Sequence, residues 1–102
     1  MKAYTKDGAL FLEPEGDLAA SRVEELRNFL MAQLKACPGE KTVILDVAGI
    51  NVVDSLGVNL IIGLYKHVSA DSKTFRIINA EDTFMKVADI FRFPSLFTIE
   101  SR

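Results

Sequence analysis

The stretch Val52-Val53-Asp54-Ser55-Leu56-Gly57 holds the residues best placed for chemistry. The apolar run Val43-Ile44-Leu45-Asp46-Val47 precedes it and a helical pattern from Val58 to Val68 follows it. Between them a short polar loop is expected, so the Ser55 hydroxyl falls at a strand-to-helix joint. Such a joint offers unpaired backbone N–H groups and the positive end of a helix dipole, both of which favour a phosphate. Asp54 suits the N-cap, where its carboxylate accepts backbone N–H groups for about 1 kcal/mol. Ser55 then takes the first helical position and Gly57 lets another backbone or a phosphate come close. Phosphorylation of Ser55 would add roughly −1.5 to −2 charges. The helix end favours that charge, whereas Asp54 and any acidic or apolar partner surface oppose it. The expected result is a domain that stays folded and loses a partner. Spacing alone favours a plainer reading, in which Asp54-Ser55 only caps a helix.

Other chemistries fit less well. A serine hydrolase wants a histidine base and a Gly-x-Ser-x-Gly elbow. The single histidine, His67, lies near the other end of the same helix, roughly 18 Å from Ser55 at 1.5 Å per residue. A Walker loop is absent, and one histidine with one cysteine makes no zinc site. No metal and no cofactor are expected. Glu24-Glu25 and Glu81-Asp82 sit where helix starts want negative charge, and Cys37, beside Pro38, reads as a loop-edge thiol. A phospho-acceptor receiver needs an acidic pair after its first strand, which this chain lacks.

The elements that must position Ser55 follow from pattern. Ala3-Tyr4-Thr5 and Leu10-Phe11-Leu12-Glu13-Pro14 flank Asp7-Gly8, a hairpin signal. Ser21 and Glu24 fit a capping box ahead of Val23, Leu26, Phe29, Leu30 and Leu34, and Pro38-Gly39 ends that helix. Thr42 to Val47 is apolar enough to be a strand buried on both faces. The second helix runs from about Leu56 to Val68. Phe75 to Ile78 is a strand. Asn79 to Asp82 supply caps for a third helix, with Phe84, Val87, Ala88 and Phe91 inward and Pro94 as breaker. Phe97-Thr98-Ile99 closes the chain as a short strand or tail. The order predicts an α/β fold bordering on α+β: a mixed four- to five-stranded sheet with an N-terminal hairpin and three or more helices packed on it.

Length and composition agree with one domain over residues 1–102: the 102 residues allow one core. At 49% hydrophobic and 25% charged, the composition is globular. A net charge of −2 leaves no basic surplus for nucleic acid. One cysteine forms no internal disulfide. No secretory leader is visible, and no run approaches the ~18 apolar residues of a membrane span. A cytoplasmic protein whose partners are proteins is expected.

The ordered set of motifs resembles the STAS domain, and within it the bacterial anti-sigma factor antagonists. The similarity rests on Gly16-Asp17-Leu18 with Glu24-Glu25-Leu26-Arg27, on Val43 to Val47 followed by Val53-Asp54-Ser55-Leu56-Gly57, on Gly63-Leu64-Tyr65-Lys66, and on Phe75 to Asn79 and Leu96 to Ile99. The resemblance implies a binding module, not an enzyme. Its unmodified form would bind a serine kinase that is also an anti-sigma factor and so free the regulated partner. Phosphorylation at Ser55 would release the kinase, and a metal-dependent serine phosphatase would reset the switch. Asp17, Ala19, Asp54, Ser55, Leu56, Gly57 and Asn59 would face the partner. Ala19 stands where the family usually has an aspartate, Leu56 where it has a small residue, and Asn59 where a second glycine is common, so the partner's identity is open. The alternative is a STAS scaffold subunit of a signalling or transporter-associated complex, without phosphorylation. Nucleotide or small-molecule sensing has no phosphate-cradling loop to support it.

Overall fold

The computed structural model describes residues 1–18 and 22–101. The chain opens with β1 (Lys2–Lys6), β2 (Ala9–Glu13) and β3 (Gly16–Leu18), and continues through α1 (Val23–Ala36), β4 (Thr42–Asp46) and β5 (Ile50–Val53). Then come α2 (Ser55–Ala70), β6 (Thr74–Ala80), α3 (Asp82–Ile90), a 3-10 turn (Phe93–Ser95) and β7 (Thr98–Ser101). The main sheet has five strands in the order β1-β2-β4-β6-β7. The β1-β2 hairpin is antiparallel, and β2-β4, β4-β6 and β6-β7 are parallel. The expected mixed sheet with a hairpin edge and three packed helices is what forms.

Register explains the core. Leu10 and Leu12 of β2 pair with Val43 and Leu45 of β4, which pair with Phe75 and Ile77 of β6. These six side chains share one face, because side chains alternate along a strand. Onto them pack Leu26, Leu30 and Leu34 of α1, Val58, Leu60, Ile61, Leu64 and Val68 of α2, and Phe84 and Ala88 of α3. A ring cluster of Tyr65, Phe75, Phe93 and Phe97 fills the end near β7, with Phe75 and Phe97 edge to face at 4.9 Å. Ile44 points to the sheet's opposite face. It is buried at 7% exposure but stands outside this core. Phe11 lies beside it in register and stacks on Tyr4 at 5.0 Å. The double-sided burial expected of β4 is thus supplied by helices on one face and by neighbouring strand side chains on the other.

Several expectations need correction. The polar loop before Asp54 is in large part the strand β5, which forms a second, two-stranded parallel sheet with β3. Phe91 is 44% exposed rather than inward, because α3 ends at Ile90 and Arg92 turns left-handed at φ 58°. Asn79 is not a cap. It lies inside β6 at φ 59°, where the pairing register with β7 slips, and Glu81 takes the N-cap of α3. Ser21 and Ala19 lie outside the described residues. The position ahead of α1 is filled by Arg22, and Glu24 and Glu25 stand in its first turn.

Candidate functional site

The small β3-β5 sheet is what holds the Ser55 joint in place. Gly16 starts β3 at φ 88°, a conformation that favours glycine. Its N–H donates to the Gly49 carbonyl at 2.8 Å, which draws β3 alongside the start of β5. Gly16 pairs with Ile50 and Leu18 with Val53. Arg22 reaches back across this strand. Its guanidinium donates to the Glu15 carbonyl and, at 3.5 Å, to that of Asp17. One cation therefore secures the backbone of β3 from the far side of the undescribed residues.

From β5 the chain enters α2 through Asp54. The Asp54 backbone is extended, and its carboxylate accepts the Gly57 N–H at 2.9 Å, an N-cap. Its own N–H donates to the Leu18 carbonyl at 3.1 Å, and its carbonyl accepts the Val58 N–H at 2.9 Å. Gly57 has a structural reason to be glycine. A Cβ there would lie 1.9 Å from the Leu18 oxygen and 2.7 Å from its carbonyl carbon. The backbone that approaches is therefore that of β3, and the space leaves nothing for a phosphate at Gly57 itself.

Ser55 is the first residue of α2 and is exposed. Leu56 beside it is 47% exposed, and Asn59, one turn on from Ser55, is exposed too. Asp17 is half-buried on β3, next to Leu18. The structure thus brings Asp54, Ser55, Leu56, Gly57 and Asn59 onto the first turns of α2 with Asp17 on the adjoining strand. Ala19 lies outside the described residues. His67 sits in the last turn of α2, 3.9 Å from Asp71, far from Ser55.

Sequence reasoning included Val52 in the motif but not on a strand, and it missed Arg22. Val52 of β5 is 52% exposed, and Arg22 braces β3. The β-branched residues Ile50, Val52 and Val53 were a usable strand signal. The reach of Arg22 had none. Among the described residues there is no cluster of histidine, cysteine and carboxylates able to hold a metal, and no helix is long and apolar enough to cross a membrane.

The model of the STAS domain matches residues 1–102, the entire chain. The chain belongs to the STAS domain family. Members of this family are binding and regulatory modules rather than typical catalysts. No curated protein matches the chain. Among solved structures, the crystal structure of the Thermotoga maritima protein TM1081, provisionally assigned as an anti-sigma factor antagonist, superposes with a TM-score of 0.88 at 14% identity over 99% of this chain and 86% of that one. Bacillus SpoIIAA in its phosphorylated form gives 0.72 at 18% identity over 99% and 90%. A sulfate transporter family protein from Wolinella succinogenes gives 0.76 at 15% identity over 96% and 81%. At these identities the likeness speaks for the fold alone.

Proposed function

We propose that this STAS domain is a phospho-switched anti-sigma factor antagonist. Its unmodified form binds a serine kinase that also serves as anti-sigma factor, and phosphorylation at Ser55 ends that binding. The observation that carries the reading is the joint itself: an exposed hydroxyl at the first position of α2, beside the exposed Leu56 and a capping carboxylate. The joint is held by two hydrogen bonds: the Asp54 N–H donates to the Leu18 carbonyl, and the Gly57 N–H donates to the Asp54 carboxylate. A phosphate there gains from the helix dipole, so the fold keeps its stability. The same charge stands against Asp54 and would be desolvated by a partner packed on Leu56, and both effects oppose docking. SpoIIAA is described in an unphosphorylated and a phosphorylated form, a precedent for phosphorylation on this fold. A metal-dependent serine phosphatase would reset the site. The protein itself would work in the cytoplasm, without a cofactor, as a kinase substrate rather than an enzyme.

The test is binding of the purified chain to candidate serine kinases with nucleotide. Ser55→Ala should bind as the unmodified chain does, and Ser55→Asp at least tenfold more weakly, which is about 1.4 kcal/mol. Equal affinities would overturn the proposal. The similarity to a sulfate transporter family protein favours a second reading, a scaffold subunit in which Ser55 only fills the first position of α2 behind the Asp54 cap. Intact-mass measurement after incubation with those kinases and ATP separates the two, since the scaffold gains no phosphate.

A further inference from the structure

A groove runs between β5 and the start of α3. Val47, Ile50, Val52 and Val53 form one wall, and Glu81, Thr83, Phe84 and Val87 form the other. Five of these are aliphatic and one aromatic, and Glu81 is the one charged residue among them. Val52 is 52% exposed at the rim. Ile90, three residues beyond Val87 and so on the same face of α3, is 74% exposed. Contiguous exposed apolar surface beside a concavity marks protein interaction sites.

The occupant can be narrowed. The groove holds about 270 Å³, below the roughly 300–1,000 Å³ of small-molecule sites, so side chains fit better than a whole ligand. One wall is a strand with an open edge: among the described residues β5 pairs with β3 alone. An unpaired strand edge is a template for another strand. Added strands bind through main-chain hydrogen bonds and select partners through pockets for alternate side chains. We infer that β5 accepts an extended segment of a partner protein by strand addition, with aliphatic side chains at alternate positions entering the groove against Phe84 and Val87. The inference goes beyond the Ser55 reading and does not need the phosphate, since the groove is present in the unmodified chain.

A random peptide library displayed on phage, panned against the full chain carrying Ser55→Ala, tests it independently of the switch. Enriched peptides should carry aliphatic residues at every second position. As synthetic peptides followed by fluorescence anisotropy, they should bind Val52→Glu at least tenfold more weakly. Val52 is already half in solvent, and an unchanged circular dichroism spectrum and melting curve would show that the variant folds. N-methylation at one alternating set of amides should abolish binding, and methylation of the other set should leave it. Four results would each overturn the inference: no enrichment, aliphatic residues at helical three- and four-residue spacing, binding indifferent to Val52→Glu, or sedimentation showing that Val52→Glu instead breaks a dimer of this chain. None of them bears on whether a kinase modifies Ser55.

Discussion

Replacing Gly57 by alanine should damage this protein, whereas the same replacement six residues later in the same helix should strengthen it. A Cβ at Gly57 would sit 1.9 Å from the Leu18 oxygen and 2.9 Å from the Leu18 Cβ. A carbon meets a carbonyl oxygen no closer than about 3.3 Å, so β3 must retreat by about 1.4 Å or α2 must tilt. Leu18 is 1% exposed, and its carbonyl accepts the Asp54 N–H at 3.1 Å. A retreat of that size takes this bond out of range. Leaving the pair unsatisfied costs about 1–3 kcal/mol, and the packing strain costs about 1–3 kcal/mol more. Alanine's better helix propensity returns about 1 kcal/mol. The expected net loss is about 3 kcal/mol, or roughly 12 °C in melting temperature for a domain of this size. At Gly63 of α2 nothing lies within 4 Å of an added Cβ. Gly63→Ala should therefore gain about 0.5–1 kcal/mol from propensity and a less flexible unfolded chain. Urea denaturation followed by circular dichroism measures both. If Gly57→Ala were as stable as the parent, the claim that β3 is locked onto the start of α2 would be wrong.

Three further outcomes follow from single sites. Asp54→Ala should lose about 1 kcal/mol in the same urea assay, because it removes the side-chain acceptor of the Gly57 N–H; no loss would mean that water replaces the cap. Arg92→Gly should gain about 0.5–1 kcal/mol by relieving the left-handed backbone after α3, read as a higher melting temperature. The Tyr4 phenol is held above its usual 10.0 by desolvation first and by the Glu13 carboxylate second. A phenol raised in the folded state adds stability that is present below the unfolded value and lost as pH rises through the folded one. Ultraviolet titration of Tyr4 in a Tyr65→Phe chain should show the raised value, and Glu13→Gln should lower it.

Legibility differed from element to element. The leucines of α1 at four-residue spacing, the run through β4 and the helical pattern of α2 were readable because burial there is periodic along the chain. The Asp54 cap was readable because capping is a contact over three residues. β5 was not read as a strand, since it is four residues long and pairs with three residues from the other side of α1. Phe91 was misread as inward because helical spacing continues past the point where Arg92 turns the backbone. Gly57 was understood only as a place for close approach.

Local pattern and chain order carried the α/β order, most of the core with Phe91 as an exception, the place of Ser55 at a helix start and, through the order of its motifs, the STAS family. The tertiary structure decided that β3 is the backbone pressed against Gly57, that Arg22 braces it, and that β5 presents Val52 and an open edge to a groove walled by α3. Each of these joins segments separated by whole helices. Such contacts depend on how the helices pack the strands together, which no local spacing in the chain records.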